Sequence, residues 1–184
     1  YKAINISKKD EFFERFDFNH PIYILYSSGT TGKPKCITHG AGNVLIEHNK
    51  EFMLHCDMRD GEKIFYYTTT GWMMWNWLIG GMATGSSIYL FDGSPTYPKL
   101  DILLEYCQNN NINLFGVSAK YIDHLKNENY SSKNLNLNSI KIITSTGSPL
   151  SEESFDYVYE NIKKDVHLAS IAGGTDMVGC LVLG

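Results

Sequence analysis

The 184-residue chain has no long hydrophobic run, no clustered cysteines and no surplus of basic charge, and each absence removes a class of function. No apolar stretch approaches the ~20 residues that cross a bilayer, and no secretory leader is visible, so no membrane partner is expected. A net charge of −4 offers no electrostatic footprint for nucleic acid. The four cysteines, Cys36, Cys56, Cys107 and Cys180, form no C-x-x-C pair or other metal spacing, so reduced, buried thiols in a cytoplasmic protein are expected. The dinucleotide fingerprint G-x-G-x-x-G is missing, as is any Ser-His-Asp or Cys-His arrangement. Of the histidines, His48, His55, His124 and His167 are expected at the surface or partly buried. His39, close after a glycine-rich stretch, is placed to serve that stretch without being catalytic.

What is present is enough apolar residue, 43%, to bury a core, in alternating periodicities. Strands are expected at 22–26, 63–67, 87–91, 112–117, 140–145 and 166–171. Helices are expected near 40–56, 73–83, 100–108, 119–127 and 151–162. Leu100, Leu103, Leu104 and Cys107 fall at i, i+3, i+4 and i+7, as do Phe155, Val158, Tyr159 and Ile162. Ser151 has the chemistry of an N-cap, with Glu152 and Glu153 following where the helix dipole favours acids. Strand–helix alternation predicts an α/β fold, a mainly parallel sheet flanked by helices, with ligands at the carboxyl ends of its strands. Loops are expected at 92–98 and 127–138, and neither an internal repeat nor a disordered linker is present.

The densest chemical signal is Ser27-Ser28-Gly29-Thr30-Thr31-Gly32-Lys33-Pro34-Lys35, after an apolar burst read as a buried strand. Glycines admit a ligand close to the backbone, and successive N–H groups with hydroxyls can encircle phosphate oxygens while lysines supply charge. It is not a Walker loop: Gly29 and Gly32 are too close, and Pro34 stands where a magnesium-binding hydroxyl is required. Three further stretches follow predicted strands and are expected to face one crevice with it. They are Thr68–Trp75, Thr146-Gly147-Ser148-Pro149 and Ala172-Gly173-Gly174-Thr175-Asp176.

The pattern SSGTTGKPK resembles the phosphate-binding signature of the adenylate-forming superfamily of acyl-CoA synthetases, luciferases and peptide-synthetase adenylation domains. With TTTGWMMWNW (68–77), YLFDGSP (89–95), STGSPL (145–150) and AGGTDMVGC (172–180), the resemblance narrows to the acetoacetyl-CoA synthetase family within it, close to the acetyl-CoA synthetases. This resemblance implies an AMP-forming acid–thiol ligase that joins acetoacetate to CoA through an acyl-adenylate, with ATP, Mg2+ and CoA as cofactors and co-substrates. It assigns the leaving phosphates to Ser27, Ser28, Gly29, Thr30, Thr31, Gly32 and Lys35. Gly147, Ser148 and Pro149 take the adenine side, where Ser148 replaces the family's usual glutamate. Thr175 is placed near the α-phosphate, catalytic together with Lys35, and Asp176 near Mg2+, one methylene shorter than the usual glutamate. The acyl pocket falls to Trp72, Met73, Met74, Thr146, Gly173 and Gly174. Gly173 stands where the acetate-using relatives have a pocket-closing tryptophan, which implies room for the acetyl extension of acetoacetate. Trp75 and Trp77 are expected to pack a helix on the sheet.

The chain starts without methionine and stops just after an apolar stretch, so both ends are expected to be cuts. The resemblance implies a single piece, residues 1–184, of the large N-terminal ATP- and acyl-binding domain, without the ribose-binding aspartate or the C-terminal domain that carries the adenylation lysine. Alone, this piece is expected to be inactive. Three alternatives stay open: another short-chain acyl-CoA synthetase, a P-loop-like phosphotransferase, and a non-catalytic nucleotide-binding relative.

Overall fold

The computed structural model describes residues 13–27 and 32–184. Five parallel strands form the central sheet: β3 (Lys63–Tyr66), β4 (Ser87–Tyr89), β5 (Leu114–Ser118), β6 (Ile142–Thr146) and β7 (His167–Ser170), in the order β4-β3-β5-β6-β7. Successive side chains of a strand face opposite sides, and the residues obey this closely. Phe65, Phe115, Val117, Ile143 and Leu168 enter one core, whereas Ile64, Tyr66, Leu114, Ile142 and Ala169 enter the other. A strand buried on both faces must be apolar throughout, which is why these segments read as short continuous runs.

The first core is covered by α3 (Ile102–Asn110), α4 (Ala119–Asn127) and α5 (Glu152–Tyr157), the last continuing as a π turn, Val158–Ile162. Leu103, Leu104 and Cys107 are buried as their spacing predicts, with Leu100 packed beside them. In the last helix the stripe slips. Val158 is buried and Phe155 and Ile162 pack against the core, but Tyr159 is exposed and Tyr157 takes the inward place. The π turn explains the slip, because an i→i+5 ladder rotates the residues that follow away from a 3.6-residue stripe. Ser151 caps α5, its hydroxyl accepting from Ser154 N–H at 3.3 Å.

The second core is covered by α1 (Ala41–Lys50), with its π turn Glu51–His55, and by α2 (Met73–Gly80), with a 3-10 turn Gly81–Thr84. Trp77 is fully buried there and Trp75 packs against it, as the sequence predicts. Among the described residues no helix is long and apolar enough to cross a membrane.

Two antiparallel hairpins lie outside the central sheet, and periodicity finds only one of their four strands. β1 (Pro21–Ser27) pairs with β2 (Lys35–Gly40), and β8 (Ala172–Gly174) with β9 (Gly179–Val182). The expected buried strand at 22–26 is therefore corrected: β1 belongs to a two-stranded ribbon, and Ile22, Ile24 and Tyr26 are exposed. Its apolar run matches that of a central strand, so composition alone cannot separate the two. Cys36 on β2 is exposed, against the expectation of four buried thiols, while Cys56, Cys107 and Cys180 are buried.

Candidate active site

The sheet order reverses between β3 and β5, since the chain passes from β3 outward to β4 and then returns to β5 on the other side. Crevices open at the carboxyl ends of strands at such a switch point. Here Tyr66, Tyr67, Thr68 and Thr69 leave β3, Ser118 ends β5, and Thr146 and Gly147 end β6. With Trp72 and Met74 these residues line one cavity of about 300 Å3.

Beside it lies a cavity of about 260 Å3 lined by Trp72, Met73, Met74, Thr146, Gly147, Gly173, Gly174, Thr175 and Cys180. All six residues expected to form the acyl pocket are in that set. A third cavity, about 330 Å3, brings Ile24, Leu25 and Tyr26 of β1 against Thr70, Gly71, Trp72, Met73, Asn76 and Thr175. Three of the four chemical stretches thus converge, and Ile24, Leu25 and Tyr26, just ahead of the glycine-rich one, lie beside them. The glycine-rich stretch follows a hairpin strand rather than a strand of the parallel sheet.

Ser28, Gly29, Thr30 and Thr31 lie outside the described residues. Of their neighbours, half-buried Ser27 and exposed Lys35 sit opposite each other as the last cross-strand pair of the β1–β2 ribbon, and Gly32 is exposed. The two ends of the loop are therefore held together by the ribbon. Ser148 and Pro149 are exposed and line none of these three cavities, whereas Gly147 lines two.

Thr175 and Asp176 stand in the turn between β8 and β9, so the turn expected over 172–176 is a hairpin whose first strand is Ala172–Gly174. Gly173 has a second reason to be glycine here: a Cβ would lie 2.0 Å from the Gly179 carbonyl oxygen and 2.7 Å from Cys180 Cα. Its missing side chain lets β8 and β9 approach, so a tryptophan at 173 would have to displace β9. Gly174, by contrast, has open space where a Cβ would go.

Asp176 is exposed, and no salt bridge among the described residues engages it. No group of three or more His, Cys, Asp or Glu among the described residues could hold a metal alone. A single exposed carboxylate suits Mg2+ where waters and phosphate oxygens supply its other ligands.

Residues that sequence reasoning missed hold this turn from below. His48, expected at the surface or partly buried, is 1% exposed, and its Nε2 donates to Val178 O at 2.7 Å. Burial pushes its pKa down, which keeps the ring neutral with the proton on Nε2. Glu51 is fully buried, accepting from Trp77 Nε1 at 2.5 Å and from Cys180 N–H at 2.6 Å. Burial raises its pKa, against the lowering effect of those two donors. His39 donates to Thr175 O at 2.8 Å, and His55 Nδ1 to Gly184 O at 2.7 Å. The available signal was the i, i+3, i+7 spacing of His48, Glu51 and His55, a polar stripe on an otherwise amphipathic helix.

Comparison with known proteins agrees with the geometry. Residues 4–183 match the family described as AMP-binding enzyme. The chain is 55% identical over 173 residues to acetoacetyl-coenzyme A synthetase of Rhizobium meliloti (strain 1021), covering 94% of this chain and 27% of that protein. It is 48% identical over 171 residues to acetoacetyl-CoA synthetase of Gallus gallus, covering 92% and 26%. The solved acetoacetyl-CoA synthetase from Streptomyces lividans superimposes with a TM-score of 0.90 at 38% identity, covering 97% of this chain and 28% of that one. The chain spans about a quarter of the length of these relatives.

Proposed function

Because the chain belongs to the AMP-binding enzyme family, we propose that the protein carrying it is an AMP-forming acetoacetate–CoA ligase. A carboxylate oxygen of acetoacetate attacks the α-phosphorus of ATP, and the bond to the β-phosphate breaks as diphosphate leaves with the electron pair. The CoA sulfur then attacks the acyl carbon, and AMP leaves from the tetrahedral intermediate.

The first step joins two anions, so the protein contributes chiefly by neutralising charge and fixing in-line geometry. Ser27, Gly32 and Lys35, with the Ser28–Thr31 segment between them, take the leaving phosphates. The Thr175 hydroxyl hydrogen-bonds the α-phosphate, and Gly147, Ser148 and Pro149 form the slot for adenine. Asp176 would hold Mg2+, which supplies further neutralisation of the phosphates. The chain would form part of the large ATP- and acyl-binding domain, with the adenylation lysine on a separate domain, and would not turn over by itself. Four cysteines without a disulfide support a cytoplasmic setting.

The observation that carries this reading is the small cavity beside Thr175, in a chain more than half identical to an acetoacetyl-CoA synthetase. At about 260 Å3 it falls just under the ~300–1,000 Å3 of drug-sized ligand sites, which suits a short acid. Of its lining residues, Met73, Met74 and Cys180 offer a methyl group apolar contact and an amide no strong partner.

The test is AMP formation by the full-length protein with acetate, acetoacetate, butyrate and malonamate, the last replacing the terminal methyl of acetoacetate with NH2. Acetoacetate is expected to give the highest kcat/KM, by at least about tenfold over malonamate, equivalent to ~1.4 kcal/mol. Preference for acetate or butyrate would overturn the substrate assignment, and release of ADP instead of AMP would overturn the reaction class.

A further inference from the structure

The turn bearing Thr175 and Asp176 is fastened from β2 and from α1 with its π turn by groups that the chemistry does not otherwise use. Its first carbonyl, Thr175 O, accepts from His39, and its last, Val178 O, accepts from His48. Directly after it, the Cys180 N–H donates to Glu51, whose other oxygen is held by Trp77. His48 and Glu51 are both at least 99% buried, so these contacts form out of reach of competing water.

Two local features show the clamp to be built in. Val178, a β-branched residue with 1% exposure, has φ of 53°, in the left-handed region that such residues avoid. That strained conformation aims its carbonyl at His48, and strain of this kind persists only where surrounding contacts over-determine it. On the other side of the ring, a Cβ at Gly80 of α2 would come within 1.9 Å of His48 Nδ1. A glycine is therefore needed there for the imidazole to enter between the helices.

We infer that His48 and Glu51, assisted by His39, are positioning residues: they fix the β8–β9 turn so that Thr175 and Asp176 meet the nucleotide phosphates in a single geometry. The inference rests on the adenylation reading given above. It predicts an effect on the rate of adenylate formation rather than on recognition of the acid.

The experiment is ATP–diphosphate exchange by the full-length protein, with kcat and KM measured separately for MgATP and for the acid. His48→Leu removes the donor. It should lower kcat at least tenfold or raise the KM for MgATP at least fivefold, while the KM for the acid stays within twofold. His48→Gln, whose amide N–H can replace Nε2–H, should restore the lost function to within about threefold of wild type. A merely structural role would lower thermal stability without this split or this rescue.

A folded His48→Leu protein with wild-type values for MgATP would overturn the inference, as would a His48→Gln protein as impaired as His48→Leu. If His48→Leu does not fold, His39→Leu, at a half-buried position, takes the same test with the same expected split, and wild-type behaviour there overturns the inference. Failure of the adenylation reading would look different. Wild type would then show no exchange with any acid, and MgATP affinity by calorimetry, expected to weaken at least fivefold in His48→Leu, would judge the clamp alone.

Discussion

Gly173 shows how one residue can be legible in the sequence for one reason and fixed in the fold by another. Its lack of a side chain marks a wall of the cavity proposed to take the acid, but the same absence lets β9 come close enough to pair. Gly173→Ala should therefore destabilise the turn by about 1–3 kcal/mol through overpacking. Gly174→Leu meets open space, so it should keep the wild-type melting temperature within about 2 °C and lower kcat/KM for acetoacetate relative to acetate. Thermal melts and paired kinetics on the two variants check both halves. Equal melting temperatures for the two, with an unchanged acid preference at Gly174→Leu, would contradict this assignment. Glu51 was legible only as one member of a polar stripe, because a glutamate on a helix normally marks the solvent side. Only the three-dimensional meeting with Trp77 and the Cys180 amide reverses that.

Among elements, those whose signal is local were readable. Ser151 was recognisable as a cap from its type and the acids after it, and all five parallel strands were found within two or three residues of their observed ends. β2, β8 and β9 were not. Antiparallel ribbons of three to six residues that contain glycine, threonine and histidine carry no period-2 apolar pattern, and their pairing is non-local. Ser118 joins two elements, ending β5 at the crevice and capping α4 by accepting from Tyr121 N–H at 3.2 Å. Ser118→Ala should cost about 1 kcal/mol, and Ser118→Asp, which preserves an acceptor, should recover most of it. Urea midpoints for the pair settle the matter, and equal midpoints would show that the cap contributes nothing.

For the whole molecule, the buried thiols set a response to alkali. Burial pushes Cys56 from the usual 9.0 to about 12 and raises Cys107 and Cys180 well above it too. Each raised pKa means that the folded chain holds a proton which the unfolded chain releases above about pH 9. The associated stability is fully present below that pH and is lost as pH rises, at about 1.4 kcal/mol per unit per thiol. Three such thiols give roughly 4 kcal/mol between about pH 9 and 10, an upper figure that Cys107→Val should reduce by about a third. Urea midpoints followed by tryptophan fluorescence at about pH 8 and about pH 10 test this. A midpoint flat across that interval would refute it.

The two faces of the sheet have unequal freedom to change. Met74 and Cys180 belong to the core under α1 and α2 and are also walls of the cavity proposed to take the acid, while that cavity borrows nothing from the core under α3, α4 and α5. Substrate preference and heat tolerance are thus tied together on one side of the sheet and separable on the other. Anyone widening the cavity for a bulkier acid would hollow out part of the second core in the same stroke. The remedy would lie across the sheet, in repacking around Leu103, Ile122 and Leu125, where substitutions can strengthen the fold without a substrate ever meeting them.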